Sequence, residues 1–250
     1  MFSKLFRILN FFVFFVLLQS CTKDNAFDCF KTTGPDKTEE RALNEFDNVI
    51  IYDNMELNLV QGSTYKITIT AGKNLIESIS TNVENGTLVI ENNNMCNFVR
   101  GYKRQITLTL EVPKIKKITN AGVASVIFDE SFALDTIIAT IQNSGDIHLK
   151  GNYYEIRTST HGNGDMNLSG MCNRLFVYTN GTNYVRAENL EVSDYAFIET
   201  YSIGHCYLNT AQLAQFDYNI HLSGNIYYKG TPALINNFSK SNVKGKAIPY

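Results

Sequence analysis

Apolar and polar positions alternate with a period of two along most of the chain, and glycine interrupts the alternation at near-regular intervals. Residues 64–71 (TYKITITA) and 105–112 (QITLTLEV) show it most cleanly. Such a pattern predicts strands buried on one side. Further strands are predicted over 49–52, 55–60, 65–70 and 87–91. Turn-forming Asp53-Asn54, Gln61-Gly62-Ser63, Asn85-Gly86 and Asn92-Asn93-Asn94 separate them. Residues 74–81 suit one short helical turn, and no long helix is predicted. From Pro113 onward the units repeat. Gly122, Gly145, Gly164, Gly181, Gly204, Gly224 and Gly245 follow one another at spacings of 23, 19, 17, 23, 20 and 21 residues.

Taking each of these glycines as position zero aligns the repeats. Position +2 is then Ala124, Ile147, Met166, Asn183, Cys206, Ile226 and Ala247, and position +4 is Val126, Leu149, Leu168, Val185, Leu208, Tyr228 and Pro249. These rows read as the interior and the odd offsets as the exterior. A repeat of ~20 residues with a turn residue and inward positions two apart is the signature of a β-solenoid, one repeat per coil. Asn183 interrupts the apolar +2 row and would need a hydrogen-bond partner if buried. The last repeat, more polar and containing Pro249, reads as a terminal cap.

The first 20 residues stand apart. Lys4 and Arg7 precede an apolar run over 8–18, too short to span a bilayer, which takes ~20 residues. Residues 1–20 therefore read as an export signal. Leu18-Gln19-Ser20-Cys21 resembles the lipobox of bacterial lipoproteins, in which the cysteine becomes the lipidated mature N-terminus. Residues 21–38 read as a polar tether broken by Gly34-Pro35, residues 39–112 as an N-terminal β region and residues 113–250 as the solenoid repeats. Export permits disulfides. Cys29 and Cys96 lie in polar, non-repeating segments and are the better-placed pair. Cys206 sits at an inward position as a small hydrophobe, and Cys172 is expected to stay free.

The order of several short stretches resembles one known family. They include Asp28-Cys29-Phe30-Lys31-Thr32-Thr33-Gly34, Glu39-Glu40-Arg41, Val60-Gln61-Gly62 and Ala71-Gly72-Lys73-Asn74-Leu75. Cys96-Asn97-Phe98-Val99-Arg100, the turn Asn143-Ser144-Gly145-Asp146-Ile147 and the closing Asn225-Ile226-Tyr227-Tyr228-Lys229-Gly230-Thr231-Pro232 continue the series. Together they resemble the head GIN domain family of autotransporter adhesins, found among Bacteroidetes lipoproteins. The resemblance covers residues 28–245. It implies an all-β chain with a right-handed parallel β-helix or β-solenoid-like domain after an irregular β region. It also implies a cysteine pair at Cys29 and Cys96, and it brings no catalytic residues. Phe98 stands where close members often carry Trp.

Composition narrows the chemistry. Charged residues are 18% of the chain and the net charge is −2, without the basic surplus that nucleic-acid binding requires. Asp146 and Asp165 share position +1 on successive repeats, ~5 Å apart if the coils stack. That spacing would suit a retaining glycosidase pair or a shared cation, although aspartate beside glycine is also an ordinary turn residue. His161 and His221 share a row but lie three coils apart, ~14 Å, too far to hold one metal. No metal, cofactor or catalytic site is therefore expected.

Two outward rows carry aromatics: Tyr184, Tyr207 and Tyr227 at +3, and Tyr178 and Tyr201 at −3, flanked by His161 and His221. They form a candidate ligand face, for stacking on sugar rings or for a protein interface, although cross-strand tyrosines also stabilise a sheet in their own right. The expected function is an exported binding or adhesion module, not an enzyme. It would be anchored through Cys21 to the outer membrane, on the periplasmic or the outer face, with a glycan or an envelope protein as partner and no role for nucleic acid. The alternatives are a carbohydrate-active β-helix enzyme and a structural envelope scaffold.

Overall fold

A computed structural model describes residues 32–95 and 105–250. The leader, Cys21, Cys29 and Cys96 lie outside the described residues.

The repeats build two parallel sheets that share one core. The first sheet runs, in spatial order, through β6 (Thr87–Asn92), β2 (Asn48–Ile51), β8 (Lys117–Asn120) and β10 (Ala133–Ile141). It continues through the second halves of β11 (Ile147–Gly162), β12 (Met166–Gly181) and β13 (Val185–Ser202), then β15 (Gln215–Ile220) and β17 (Leu234–Asn237). The second sheet runs β7 (Thr107–Val112), β3 (Glu56–Gln61), β9 (Ser125–Phe128), the first halves of β11, β12 and β13, then β14 (Cys206–Asn209), β16 (Ile226–Lys229) and β18 (Ala247–Pro249). The three long strands cross from one sheet to the other on a short third side. There β11 and β12 turn at Gly151 and Gly170, which have φ values of 143° and 104°, a region that only glycine enters readily.

The seven repeats after Pro113 thus supply about seven turns, as their periodicity predicted. The β region before Pro113 supplies two more levels, in reversed order. Residues 48–61 pair beneath the first repeat, and residues 87–112 pair beneath 48–61. Antiparallel strands finish the lower end: β4 (Lys66–Gly72) on β7, β1 (Asp36–Ala42) on β4, and β5 (Ile79–Glu84) on β6. The β5–β6 hairpin turns at Asn85-Gly86, with φ of 50° and 71°, the left-handed pair that a two-residue hairpin needs. The helical turn expected over 74–81 is confined to α1 (Lys73–Ile76), and β5 takes residues 79–81.

Inward positions are apolar and closed to solvent. Val126, Ile147, Met166, Val185, Cys206 and Ile226 form one column, each at most 1% exposed. That column corrects the alignment read from the glycines. Gly122 and Gly181 sit two residues ahead of the row shared by Gly145, Gly164, Gly204, Gly224 and Gly245, whose place is taken by Ala124 and Asn183 in their repeats. Coils approach so closely along this row that a Cβ at Gly204 would overlap the carbonyl oxygen of Asn183. Asn183 is tolerated because its side chain fills the corner of the core. Its Oδ1 accepts from Thr160 Oγ1 (3.0 Å) and from Thr179 Oγ1, and its Nδ2 donates to the carbonyls of Gly162 (3.1 Å) and Asn180 (2.8 Å). The last repeat is a further level rather than a cap. Its strands pair on β15 and β16, and among the described residues no strand pairs above them.

Candidate functional site: the aromatic flanks

With the alignment corrected, the outward residues fall into columns on two flanks. On the first sheet, His161, Asn180, Tyr201 and His221 form one column, and Ser159, Tyr178, Glu199 and Asn219 the next. Tyr178 is therefore a diagonal neighbour of Tyr201, not its partner in a row. The rings zigzag up the flank: His161 to Tyr178 at 5.5 Å between centroids, Tyr178 to Tyr201 at 5.8 Å, and Tyr201 to His221 at 3.8 Å with planes 7° apart. Glu199 Oε1 lies 3.2 Å from His221 Nε2.

Two further columns extend this flank. One carries Arg157, Phe176, Phe197 and Asp217, the other Glu155, Arg174, Tyr195 and Gln215. The Arg157 and Arg174 guanidinium groups lie 4.4 and 5.1 Å from the Phe176 centroid, within cation–π range. The buried Glu155 carboxylate is held by Arg157 Nε (2.6 Å) and Arg174 Nη1 (3.1 Å). Buried Asp217 accepts from the Tyr195 hydroxyl (3.1 Å), Gln215 (3.0 Å) and Asn236 (2.9 Å). Both carboxylates are thus compensated, as buried charge must be. Burial raises the Tyr195 phenol above its ordinary value, so it stays a neutral donor.

On the second sheet, Tyr207 and Tyr227 stack as expected, 5.4 Å apart with planes 18° from parallel. Tyr184 lies one level below but one column over, among Asp146, Asp165, His205 and Asn225. It still joins the cluster. His205 stands edge-on between Tyr184 (5.7 Å) and Tyr227 (5.4 Å), and Arg186 reaches over Tyr184 (5.0 Å) and Tyr207 (5.7 Å). Tyr184, Tyr207 and Tyr227 are therefore brought together, with Arg186 and His205 as mortar.

The column containing Tyr184 also shows what Asp146 and Asp165 do. Asp146 Oδ1 accepts the backbone N–H of Asp165 (2.7 Å), and Asp165 Oδ1 accepts that of Tyr184 (2.8 Å). Higher up, His205 Nδ1 accepts the N–H of Asn225 (3.0 Å), and Asn225 Oδ1 that of Lys246 (3.0 Å). Each side chain fastens the turn above it, the role that short polar residues play at turns. The other Asp165 oxygen lies 3.6 Å from Arg186. Among the described residues no three His, Cys, Asp or Glu side chains gather as a metal would require. Cys172 and Cys206 are free and buried, and burial pushes both thiols up to about 12, far from the range of a reactive cysteine.

Sequence reasoning found the tyrosines and passed over Phe176, Phe197, Tyr195 and their arginines. The signal was present. Counted from the true row through Asn183 and Gly204, Phe176 and Phe197 share offset −7 and Arg174 and Tyr195 share offset −9.

The fold is shared with solved bacterial proteins. A putative adhesin from Bacteroides fragilis is 20% identical and superposes with a TM-score of 0.75 over 86% of this chain and 97% of its own. A putative adhesin from Parabacteroides distasonis is 13% identical, with a TM-score of 0.65 over 87% and 98%. A putative lipid binding protein from the same species is 17% identical, with a TM-score of 0.56 over 85% and 97%. No curated protein matches. At these identities the likeness is one of fold. The family model described as "Putative auto-transporter adhesin, head GIN domain" matches residues 45–232, most of the sheets and both aromatic flanks, and the chain belongs to that family.

Proposed function

We propose that the protein is an exported, lipid-anchored binding module that engages its partner through its aromatic flanks. One observation carries this reading. Rings on successive coils are held in contact, directly above one another or on the diagonal, on two outward faces where they remain partly exposed. Such a repeated aromatic surface supplies many weak contacts at once, each aromatic contact worth about 0.5–1.5 kcal/mol. The adhesin description of the family agrees with it. Cys21 would be the lipid attachment point. The first described strand lies at the lower end of the stack, so an anchor there would tether the rod by that end and leave both flanks clear.

Two measurements test the reading. Replacing Tyr184, Tyr207 and Tyr227 together with Ala should weaken retention on envelope extracts by at least about tenfold while the far-UV spectrum stays that of the parent. Undiminished retention would remove the aromatic flank from the function. Cys21→Ala should release the protein from the membrane fraction; a variant that remains there would refute the anchor.

A further inference from the structure

We infer that the second flank holds a built saccharide site, centred on Glu188, that takes an uncharged sugar ring; this rests on reading that flank as the binding surface. The site originates in a slip of register. Between β12 and β13, Asn167 pairs with Arg186 but Ser169 pairs with Asn189, so β13 carries one residue more than its neighbour. Such a bulge re-aims a side chain and recurs beside functional sites. Here it brings Glu188 to a cleft of about 290 Å³ lined also by His148, Lys150, Asn167, Ser169 and Asn189.

Glu188 Oε2 is closed to solvent and has no hydrogen-bond partner. An acceptor left in that condition costs about 1–3 kcal/mol, more when charged, and a ligand that draws the half-buried Glu188 side chain out into the cleft and donates to it recovers the loss. The neighbouring cations do not discharge it: Lys150 is bound to Glu130 (2.5 Å) and Arg186 leans on Asp165 (3.6 Å). With both cations paired, they draw in no anionic ligand, and Glu188 itself repels one. A neutral molecule rich in hydroxyls can donate to Glu188 and exchange hydrogen bonds with the amides of Asn167 and Asn189, the Ser169 hydroxyl and the His148 ring.

The ring platform is adjacent. Tyr207 occupies the level above Arg186 in the same column, stacked with Tyr227. Burial raises its phenol above the ordinary value, and the Glu188 charge acts in the same direction. A pyranose seated over Glu188 packs its apolar face against the outer edge of Tyr207, whose two faces are taken by Tyr227 and Arg186, while its hydroxyls reach the carboxylate.

Saturation-transfer NMR on the intact protein would test the site with methyl glycosides of glucose, galactose, mannose and N-acetylglucosamine, and with methyl glucuronide as an anionic probe. At least one neutral glycoside should bind. Glu188→Gln, which keeps the shape, and Tyr207→Ala should each weaken it by about tenfold or more, whereas Tyr52→Ala, exposed in the lower levels and on neither flank, should leave it within about twofold. An unchanged thermal midpoint for Glu188→Gln would exclude a folding effect. Silence from every neutral glycoside at tens of millimolar, binding of the glucuronide alone, or affinity indifferent to Glu188→Gln would each overturn the inference. Should Glu188→Gln instead hold to envelope extracts as the parent does while no sugar binds, the sugar site falls and the aromatic flank stands. If the parent itself fails to hold, it is the broader reading that fails.

Discussion

The two ends of the stack solve the same problem in opposite ways. A solenoid exposes its core and its unpaired strand edges wherever it stops. At the lower end, antiparallel β1, β4 and β5 cover the last parallel level, and Phe46, Leu75, Ile76 and Ile79 are buried beneath them. The charges there are largely paired: Glu39 with Lys37 and Arg41, Glu40 and Glu111 with Lys66, Glu45 with Lys114, and Asp47 with Lys116. At the upper end, Leu234, Ile235 and Phe238 are 49%, 40% and 59% exposed, and no acidic residue follows Asp217. Lys240, Lys244 and Lys246 surround this edge and Pro249 interrupts it, devices that discourage edge-to-edge pairing. The lower end is therefore closed by covering strands, whereas the upper edge is protected by charge rather than by cover.

Core truncation should expose that difference most sharply. Leu59 is completely buried in the lower levels, and Leu59→Ala should cost about 2–5 kcal/mol, read as a fall in the denaturation midpoint. A loss no larger than that at the upper edge would erase the proposed contrast.

Asn183 tests whether the ends are coupled. Asn183→Ala takes the side-chain partner from two threonine hydroxyls and two backbone carbonyls in the corner of the core, of which the Gly162 carbonyl keeps the Thr182 N–H, at a cost of about 1–3 kcal/mol. Stacked coils interact mainly with their neighbours. Hydrogen exchange should therefore quicken over residues 160–220 and stay unchanged in β1–β7; uniform acceleration would mean that the rod melts as one unit.

How much of this was legible follows from what is local and what is not. The strands near 49, 56, 66, 87 and 107 were plain, because alternation is a property of adjacent residues. The inward placement of Cys206 was plain too. The reversed order of the two lowest levels was not, since nothing local tells residues 87–112 to pass beneath 48–61. The register error came from trusting glycine as a fixed landmark. Gly122 and Gly181 belong to a neighbouring row, and Asn183, apparently an interruption, is a true member of the ladder. The Glu188 bulge left a trace that was overlooked. Inward residues run Val185, Ala187, then Leu190 and Val192, so the alternation slips by one at Glu188-Asn189. The partnerless carboxylate oxygen is a fact of three dimensions and has no sequence signature.

At the upper edge, Ile235 points toward the core above Phe216 yet remains 40% exposed. Ile235→Ala should cost about 1–2 kcal/mol, less than the loss at Leu59, because 40% of its surface is still in water. A larger loss would show that something covers this end in solution, and a midpoint that varies with protein concentration would identify a second copy as the cover.

Acidification should produce the smallest effect, and at one end only. Hydrogen bonds from Arg41 and Lys37 lower the Glu39 carboxyl, that from Lys116 lowers Asp47, and that from the Thr64 hydroxyl lowers Glu111. A carboxyl lowered by folding contributes stability above its unfolded value, and the contribution disappears as pH falls through the folded one. Lys66 and Lys114 are raised, through Glu40 and Glu45 respectively, so their share persists at low pH only while those carboxylates remain charged. All of these groups belong to the lower end and are exposed, which keeps each contribution small. Residues 218–250 contain no carboxylate side chain to protonate. Limited proteolysis stepped downward from neutral pH should therefore open sites around β1 and β4 before any new cleavage within β16–β18. Cleavage that began in the upper levels would mean that the paired charges of the lower end do not hold it closed.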